Sequence, residues 1–482
     1  MRYQSLLLLV SALLISACGG GGGASQNNTS TSTPSASTSS CTLNARKQWV
    51  VDTLKEWYLY PETLPANIDI NNYATIDELI SALTATARAQ RRDRNFTYLT
   101  SIVEENAYYN SGATAGFGVR IYSDAATARV FITEAFEGAP ALNVGIDRRD
   151  ELLAIGTTTE NLRTVADIIA KEGTAGITTA LGPSTAGTTR ILRMVGPTGT
   201  RILTLSKADY SIEPVSSRYG GIILQDGLRR VGYINLRTFI SSANDRLRQE
   251  FLKFKNSGIN EVIIDLRYNG GGLVSTAELM GDFLGGNRSS GNIFSQLTFR
   301  SEKSSENSIK RFQLQPESIT PTKLAFITTG SSASASELVI NSFIPYFNDQ
   351  LALIGANTYG KPVGQIAIDR AACDDRLRVL AFSTKNANNS DAYFNGLAET
   401  VKASCRAADD LTQPLGNSAE LSIRQGLDYL AGKSCVAISI NPTSSSADVS
   451  EISMLEKVPE PTLVPLTPHN PSVPQRDLPG LF

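Results

Sequence analysis

Histidine is almost absent from this sequence, which holds one among its 482 residues. That residue, His469, lies in the proline-rich stretch LVPLTPHNPSVP, where a packed catalytic site is not expected. Its isolation argues against hydrolases that use a Ser-His-Asp triad or a Cys-His pair. It also argues against zinc enzymes, because their sites usually include histidine. Any hydrolytic chemistry in this chain must therefore take its base from Lys, Asp, Glu or Tyr.

Neither sign of charge is in excess, and no long apolar run follows the first residues of the chain. The 44 basic residues nearly balance the 46 acidic ones, and this balance argues against a nucleic-acid partner. No stretch beyond residue 15 has the length and hydropathy of a membrane-spanning helix. With 41% apolar and 19% charged residues, the composition is that of a globular protein long enough for two or three domains.

The N-terminus has the pattern of a bacterial sorting signal. Arg2 precedes an apolar stretch over residues 6–15 that is too short to span a membrane, and Ile15-Ser16-Ala17-Cys18 resembles a lipobox. We therefore expect a lipoprotein signal over residues 1–18, acylation of Cys18 and a place in the bacterial cell envelope. Gly19, in place of an aspartate, favours the outer membrane over the inner one in an organism with two membranes, so we expect the protein at the outer membrane or in the periplasm. A plain secretory signal with a chance cysteine is the alternative.

Four cysteines remain once Cys18 is assigned to the signal: Cys41, Cys373, Cys405 and Cys435. In an exported chain they predict two disulfides, for which three pairings exist. Their positions towards both ends of the folded region favour Cys373–Cys405 with Cys41–Cys435. No CxxC spacing occurs, so a metal cluster or a thiol nucleophile is less favoured, and free thiols are the remaining alternative.

Composition and periodicity divide the rest of the chain into five regions. Helical periodicity of apolar residues gives way to short β runs separated by turns, and then to strands that alternate with helices. We predict an α/β multi-domain protein with a flexible Gly/Ser/Thr linker at 19–40, a helical N-terminal region at 41–110, a β-rich domain at 111–208, an α/β domain at 209–435 and a mobile Ser/Pro-rich tail at 436–482.

The first segment suited to catalysis is GSSASASE, residues 330–337, between the strand-like KLAFITT and a helix that opens at ELVINSF. Such a turn presents a hydroxyl at a helix N-terminus, where free N–H groups and the helix dipole stabilise negative charge. Glu337 follows Ser334 by three residues, as in a capping box. Taken alone, the segment is explained equally well as a serine-rich helix cap.

The second segment is DLRYNGGG, residues 265–272, between a buried strand and a predicted helix. Consecutive glycines let the backbone approach a ligand closely and turn amides towards an oxyanion. The segment lacks the GxxxxGK[ST] pattern of a phosphate-binding loop. A plain turn at the start of a helix is the alternative.

The third segment is YGKPVGQ, residues 359–365, which follows the strand-like LALIG. Lys361 stands between Gly and Pro just beyond a buried strand, an unusual place for a solvated surface charge. To act as a base near neutral pH, its pKa must fall from about 10.4 towards 7, and burial can supply a shift of that size. A lysine on the surface is the alternative.

Together, the three segments resemble the carboxyl-terminal processing (tail-specific) serine peptidases, over about residues 41–435. The resemblance implies a ClpP/crotonase-like α/β protease core that needs no metal or cofactor. It also implies specific roles: Ser334 as nucleophile, Lys361 as general base, Gln365 as the group that orients the lysine, and backbone amides of Ala335 and of Gly271 or Gly272 as the oxyanion hole.

The same resemblance identifies residues 111–208 as a PDZ-like domain. Four residues are similar to a carboxylate-binding loop whose amides receive the end of a peptide: Gly116, Phe117, Gly118 and Val119. The strand over residues 119–122 would pair with that peptide by β-augmentation, and a helix near Val165 and Ile169 would close the groove. Arg149-Asp150 stands where the family has Gly-Asp. The alternative is a small β domain that only positions the protease core.

Three functions follow from this pattern. The favoured one is a serine endopeptidase that recognises C-terminal or unfolded segments of proteins or peptides and cleaves them through an acyl-enzyme. The second is a catalytically silent peptide-binding lipoprotein on the same scaffold, which the intact Ser334, Lys361 and Gln365 disfavour. The third, an acyltransferase of the penicillin-binding type, expects an S-x-x-K quartet that the sequence does not contain.

Overall fold

The computed structural model describes residues 38–124, 126–439 and 463–482. The predicted signal, its acylation site Cys18 and nearly all of the predicted linker lie outside these residues. No helix within the described ranges is both long and apolar enough to cross a membrane. The predicted multi-domain α/β class is confirmed, with helices first along the chain and one two-stranded and three larger sheets after them.

Helices and strands alternate along most of the described chain. The α-helices are α1 (Leu43–Trp57), α2 (Ile76–Leu83), α3 (Ala85–Ala89), α4 (Ile102–Ser111), α5 (Pro140–Asn143), α6 (Val165–Leu181), α7 (Ala243–Asn256), α8 (Val274–Leu284), α9 (Ala335–Phe347), α10 (Leu421–Leu430) and α11 (Val473–Asp477). The strands are β1 (Tyr98–Ser101), β2 (Ala113–Gly116), β3 (Val119–Asp124), β4 (Arg129–Ala135), β5 (Glu151–Gly156), β6 (Arg163–Thr164), β7 (Thr189–Gly196), β8 (Gly199–Ser206), β9 (Ala208–Ser211), β10 (Gly221–Asp226), β11 (Arg229–Asn235), β12 (Glu261–Asp265), β13 (Ile293–Phe299), β14 (Ser308–Arg311), β15 (Lys323–Thr328), β16 (Leu351–Gly355), β17 (Val363–Arg370), β18 (Asp375–Lys385), β19 (Ala403–Arg406) and β20 (Leu463–Pro465).

The α/β domain is built on a six-stranded sheet in the order β10-β11-β12-β15-β16-β19. Its strands are parallel except at β10–β11, and the central strands are apolar and almost wholly buried because both faces are covered. One face packs against α7, α8 and α9, and the other packs against α10. The loops that follow β12, β15 and β16 are the three predicted segments, so parallel strand order brings them to one edge.

The helical N-terminal region packs on strands from late in the sequence. Apolar residues of α1 and α2, such as Leu54 and Leu79, share a buried cluster with Val363 of β17 and Leu380 of β18. Strand β1 also pairs antiparallel with β18. The region therefore has a common core with β17 and β18, and β17 begins within the third segment, residues 359–365, which we call the lysine loop.

The β-rich domain contains a seven-stranded sheet in the order β20-β3-β4-β5-β7-β8, with β6 beside β5. Helix α6 packs across this sheet, and Val165, Ile168 and Leu181 are buried in the shared apolar cluster. Ile169, the other residue predicted beside the groove, is partly buried against the same cluster. Strand β3 is the strand for which pairing with a peptide was predicted.

Part of the predicted mobile tail is ordered and docked. Strand β20 pairs antiparallel with the edge of β3, and Phe482 is buried in the apolar cluster of the β-rich domain. The prediction of mobility is therefore wrong for residues 463–482. A proline-rich sequence cannot form a sheet of its own, but it can dock on an edge strand, which offers unpaired N–H and C=O groups.

The disulfides join Cys41 to Cys373 and Cys405 to Cys435, so the favoured pairing was wrong. The Cα atoms of the two pairs are 5.5 and 5.4 Å apart, an ordinary separation for bridged cysteines. The turn that ends at Cys41 packs beside the turn at Cys373, which precedes β18, because α1 docks on that strand. Cys405 lies in β19, and α10 returns the chain so that Cys435 lies beside it.

Candidate active site

Ser334 occupies a strained turn between β15 and α9. Its φ of 56° and ψ of -113° lie in a region that residues other than glycine enter at a cost of about 1–3 kcal/mol. Ser332 Oγ donates a hydrogen bond to the carbonyl of Leu266 at 2.7 Å. The N–H of Ala333 donates to the carbonyl of Asn269 at 3.0 Å. These two hydrogen bonds join the serine turn, residues 330–337, to the glycine segment, residues 265–272. They keep the turn in its strained conformation, which persists only where neighbouring contacts fix it.

The carboxylate of Glu337 joins the serine turn to the lysine loop. It accepts hydrogen bonds from the backbone N–H groups of Ser334 at 3.1 Å, Gly360 at 2.6 Å and Lys361 at 2.7 Å. Glu337 is fully buried, and burial raises the pKa of its carboxyl group. The sequence predicted this residue only as a helix cap. Its contacts with residues 23 and 24 positions further on had no signal in the sequence.

Lys361 is held in an apolar, partly buried environment. Its Nζ donates a hydrogen bond to Gln365 Oε1 at 3.3 Å and lies 4.6 Å from the centre of the Phe96 ring. Gln365 is itself fixed, because its Nε2 donates to the carbonyl of Phe96. Burial lowers the pKa of Lys361 to about 8, while the nearby carboxylate of Asp477 opposes that shift. The position predicted for Gln365, beside the ammonium group, is the one it occupies.

A cleft of about 1780 Å³ lies in front of these loops. Lys361, Gln365 and Ala333 line this cleft. Ser334, which follows Ala333, is half-buried. Among the described residues, no hydrogen bond joins Lys361 Nζ to Ser334 Oγ. Catalytic hydrogen bonds are often long without substrate and tighten when substrate is bound. His469 is exposed on the cleft wall, where its Nδ1 is 3.0 Å from Asn470 Oδ1.

The two glycines predicted for the oxyanion hole face different neighbours. A Cβ atom at Gly271 would lie 2.8 Å from Ser334 Cβ and 3.2 Å from the amide nitrogen of Ala335, so only glycine fits there. Gly272 instead packs against the carbonyl of Phe239, 2.3 Å from its Cβ position. Gly271 thus lies beside the serine and the predicted Ala335 amide, and Gly272 faces the opposite side.

A third glycine, Gly270, presents an amide to the cleft. The N–H of Gly271 donates to Asn269 Oδ1 at 2.9 Å, within the glycine segment itself. The N–H of Gly270 donates to the carbonyl oxygen of Asp477 at 2.8 Å. Sequence reasoning did not single out Gly270, because nothing in a run of three glycines distinguishes which N–H bonds within its own loop and which bonds to another segment.

The predicted peptide-binding loop contacts the last residue of the sequence. The N–H groups of Gly118 and Val119 donate to the oxygen of Phe482 at 2.8 and 3.2 Å, and the Phe482 N–H donates to the Val119 carbonyl at 2.9 Å. A Cβ atom at Gly116 would lie 2.9 Å from the Phe482 carbonyl carbon, so this glycine permits the close approach. Phe117 contributes its ring to the apolar cluster in which Phe482 is buried.

Arg120 links the peptide-binding strand to the glycine segment. It is fully buried, and it forms an ion pair with Glu134 at 2.8 Å. Its guanidinium also donates to the carbonyls of Tyr268 at 3.0 Å and Pro479 at 3.2 Å. The sequence gave no sign of this link, because an arginine within a strand usually points into solvent.

Arg149 has the backbone conformation that the family pattern predicts for a glycine. Its φ is 92°, in the region where side chains are strained. The Arg149 N–H still donates to the Ile132 carbonyl at 3.2 Å, and Asp150 forms an ion pair with Arg201. The turn before β5 is therefore kept although its glycine is replaced.

Comparison with known proteins finds two matching family domains. Residues 230–402 match Peptidase family S41, and residues 45–98 match the Peptidase S41 N-terminal domain. The first match contains the serine turn, the glycine segment and the lysine loop. The second match covers α1, α2 and α3, which pack on β17 and β18 beside that loop.

Similar proteins match much of this chain at low sequence identity. The carboxyl-terminal-processing protease of Synechocystis is 23% identical over 406 residues, which are 82% of this chain and 84% of that protein. Carboxyl-terminal-processing peptidase 3 of Arabidopsis chloroplasts is 24% identical, over 68% of this chain but only 60% of that protein. A crystal structure of a Bacteroides fragilis protein assigned to the S41 proteases superposes with a TM-score of 0.61 at 21% identity, over 80% of this chain and 97% of that one.

Proposed function

Because the chain belongs to peptidase family S41, we propose that it is a serine endopeptidase that cleaves proteins or peptides with Ser334 and Lys361. One observation supports this proposal most strongly. A lysine whose pKa is about 8 stands on a loop that a buried carboxylate, Glu337, ties to a strained serine turn. Burial lowers the pKa of Lys207 to about 8 as well, so the connection to the serine turn is what distinguishes Lys361 as the base.

The first half of the reaction forms an acyl-enzyme. Ser334 Oγ attacks the scissile carbonyl carbon as its proton passes to the neutral Nζ of Lys361. The amides of Ala335 and Gly270 stabilise the resulting oxyanion at the start of α9, where the helix dipole adds to their effect. The intermediate then collapses, the C–N bond breaks, and the Lys361 ammonium gives its proton to the leaving amine. An ester between Ser334 and the acyl part of the substrate remains.

Water completes the cycle. Lys361, neutral again, takes a proton from a water molecule that attacks the ester carbonyl, and the ammonium then returns that proton to Ser334 Oγ. With a pKa of about 8, roughly one molecule in ten has a neutral lysine at pH 7. Gln365 holds Nζ in place throughout, since it accepts a hydrogen bond from either protonation state.

We also propose that the PDZ-like domain recognises C-terminal or unfolded segments. The support is the pair of N–H groups at Gly118 and Val119, which meet at one acceptor oxygen, next to a strand edge that accepts a further strand. A synthetic peptide with a free carboxylate should bind more tightly than the same peptide with an amidated end, because the amide lacks the charge. Equal affinity, measured by fluorescence anisotropy, would rule out a carboxylate-binding loop.

The catalytic proposal is tested by cleavage of an unfolded protein. Ser334→Ala and Lys361→Ala should each lower the rate of cleavage by roughly 10³-fold or more, while binding of a labelled peptide survives. Two exposed positions, Ser305→Ala and Lys402→Ala, are matched controls that should cleave at the wild-type rate. Wild-type cleavage by either active-site variant would overturn the assignment. Peptide binding without any cleavage by the wild type would instead favour the silent peptide-binding protein.

We further propose that the protein is exported and lipid-anchored in a bacterial cell envelope through Cys18. Two disulfides support an oxidising compartment, because such bonds are rare in the cytosol. The lipobox-like Ile15-Ser16-Ala17-Cys18 supports the anchor.

A further inference from the structure

One stretch of the chain reaches both the peptide groove and the catalytic loops. We call residues 463–482 the tail segment. Its first part, β20, pairs with the outer half of β3, and residues 480–482 pair with the inner half. Between these two parts, α11 lies at the cleft. The tail segment therefore covers the edge of β3 at which a peptide would bind.

The end of the tail segment fills the groove with an apolar side chain. Phe482 is 2% exposed, and it packs with Phe117, Ile146 and other residues of the domain core. Its backbone makes three hydrogen bonds to the predicted loop, and the N–H of Ile121 donates to the carbonyl of Gly480 at 2.8 Å. This is the hydrogen-bond pattern of an added β-strand that ends in the predicted loop.

The middle of the tail segment lies against the catalytic loops. The carbonyl oxygen of Asp477 accepts a hydrogen bond from the N–H of Gly270, the amide proposed for the oxyanion hole. The Asp477 carboxylate opposes the effect of burial on Lys361 and so favours the protonated form, which cannot act as a base. The guanidinium carbon of Arg476 is 3.9 Å from the centre of the Tyr98 ring, on the cleft wall.

The two ends of the segment differ in how fully their polar atoms are paired. Phe482 is anchored by apolar burial and by backbone hydrogen bonds. By contrast, Oδ2 of Asp477 and Nε of Arg476 are buried without a hydrogen-bond partner among the described residues. Buried polar atoms without partners disfavour the arrangement that contains them.

We propose that the tail segment is the resident ligand of the peptide groove and inhibits the active site in cis, until a substrate segment with a large apolar residue in the Phe482 pocket displaces it. The proposal rests on the proposed function, since it assigns a regulator and a substrate class to that active site. A substrate must compete for β3 before its scissile bond can replace residues 476–477 at the catalytic loops.

Binding of a synthetic peptide tests the competition without catalysis. The probe is a fluorescent peptide with the sequence of residues 473–482, and the protein carries Ser334→Ala. Deletion of residues 480–482 should tighten binding of the probe by about tenfold or more. The apparent affinity is proportional to the fraction of molecules whose groove is free, and the deletion raises that fraction. Phe482→Leu keeps a large apolar side chain and is the matched control for Phe482→Asp, which should behave like the deletion. Equal affinities of all four proteins would overturn the proposal.

The unaltered chain provides a second measurement in case the variants fold poorly. Hydrogen exchange at the N–H of Phe482 should accelerate when the unlabelled peptide is added in excess, because the tail segment leaves the groove. Continued protection of this amide while the peptide is bound would also overturn the proposal. A probe peptide that ends in aspartate in place of phenylalanine should bind about tenfold more weakly and release the tail segment less.

Cleavage separates this proposal from the one on which it rests. In the protein with Ser334 intact, deletion of residues 480–482 should raise kcat/KM for a short fluorogenic peptide by about fivefold or more. If no form cleaves but the deletion binds the probe more tightly, the tail segment is a groove ligand and the peptidase assignment fails. If the wild type cleaves but the deletion changes neither affinity nor kcat/KM, the peptidase assignment stands and cis inhibition fails.

Discussion

Lys361 combines two conditions that a lysine base requires. Burial disfavours the ammonium form, so the pKa falls to about 8, even though the face of the Phe96 ring, 4.6 Å from Nζ, attracts a cation. Gln365 limits the movement of Nζ, and the backbone of the lysine is fixed by Glu337. The same carboxylate fixes Ser334, so the proposed nucleophile and the proposed base are held by one buried side chain.

The pH dependence of cleavage reports the protonation of Lys361. The neutral form is the base, so kcat/KM should rise with pH, pass through half of its plateau near pH 8 and be about a tenth of the plateau at pH 7. The measurement is a pH–rate profile with a short fluorogenic peptide, over a range in which the melting temperature shows the protein to be folded. A profile that is flat across neutral pH, or that falls as pH rises, would argue against a lysine base.

Glu337→Gln tests the shared anchor. The amide side chain has one acceptor oxygen, whereas the carboxylate accepts three N–H bonds, so at least one buried donor loses its partner. We expect a loss of about 2–3 kcal/mol in the free energy of unfolding and a lower kcat. Urea denaturation measures the first effect and steady-state kinetics the second. Glu302→Gln, at an exposed site, should change neither; an unchanged kcat in Glu337→Gln would contradict a positioning role.

At the scale of elements, the six-stranded sheet explains why three segments distant in sequence form one site. β12, β15 and β16 are adjacent and parallel, so the loops at their carboxyl ends meet. Strands that are buried on both faces appear in the sequence as continuous apolar runs, so this arrangement of strands and loops was predictable. The strand β3 and the loop before it were also predictable, since glycines mark the loop and the β-favouring residues Val119, Ile121 and Tyr122 mark the strand.

Contacts made by side chains across long distances were not predictable. Nothing local to Glu337 indicates its bonds to the lysine loop, and nothing local to Arg120 indicates that it is buried between two domains. The cysteine pairing failed for the same reason: position along the chain does not show that the turn at Cys41 docks beside β18. The tail segment was wrongly predicted to be mobile. High proline content indicates that a segment forms no helix or sheet of its own, but it does not indicate whether the segment docks on another element.

Removal of the disulfide between Cys405 and Cys435 should destabilise the protein, because this bond connects β19 to the chain that follows α10. The cysteines are 30 positions apart, so loss of the bridge should cost about 2–4 kcal/mol of unfolding free energy. The double variant Cys405→Ser/Cys435→Ser and urea denaturation measure this. A peptide map under non-reducing conditions should contain Cys41 linked to Cys373. A fragment that links Cys41 to Cys435 would contradict the pairing.

At the scale of the whole molecule, the peptide groove, the glycine segment and the tail segment form a continuous path. Arg120 contacts all three through β3, the Tyr268 carbonyl and the Pro479 carbonyl. Occupancy of the groove and the state of the catalytic loops are therefore physically connected. Under the proposed function, such a connection would restrict cleavage to chains that first occupy the groove.

Anchoring of the molecule is tested by Cys18→Ser. The variant should be recovered in the soluble fraction of cells, whereas the wild type should sediment with membranes, because acylation requires the thiol. Both proteins should have the same two disulfides in a non-reducing peptide map. Sedimentation of the variant with membranes would contradict lipid anchoring at this residue.

The central claim is that Ser334 forms an acyl-enzyme with Lys361 as its base. The most direct measurement is the mass of the protein after incubation with a peptide thioester, a substrate that acylates readily, followed by acid quench and peptide mapping. The wild type should carry one acyl group, located at Ser334, and Lys361→Ala should carry none. Cleavage of substrate with the acyl group on another residue, or equal acylation of Lys361→Ala, would contradict the Ser–Lys mechanism.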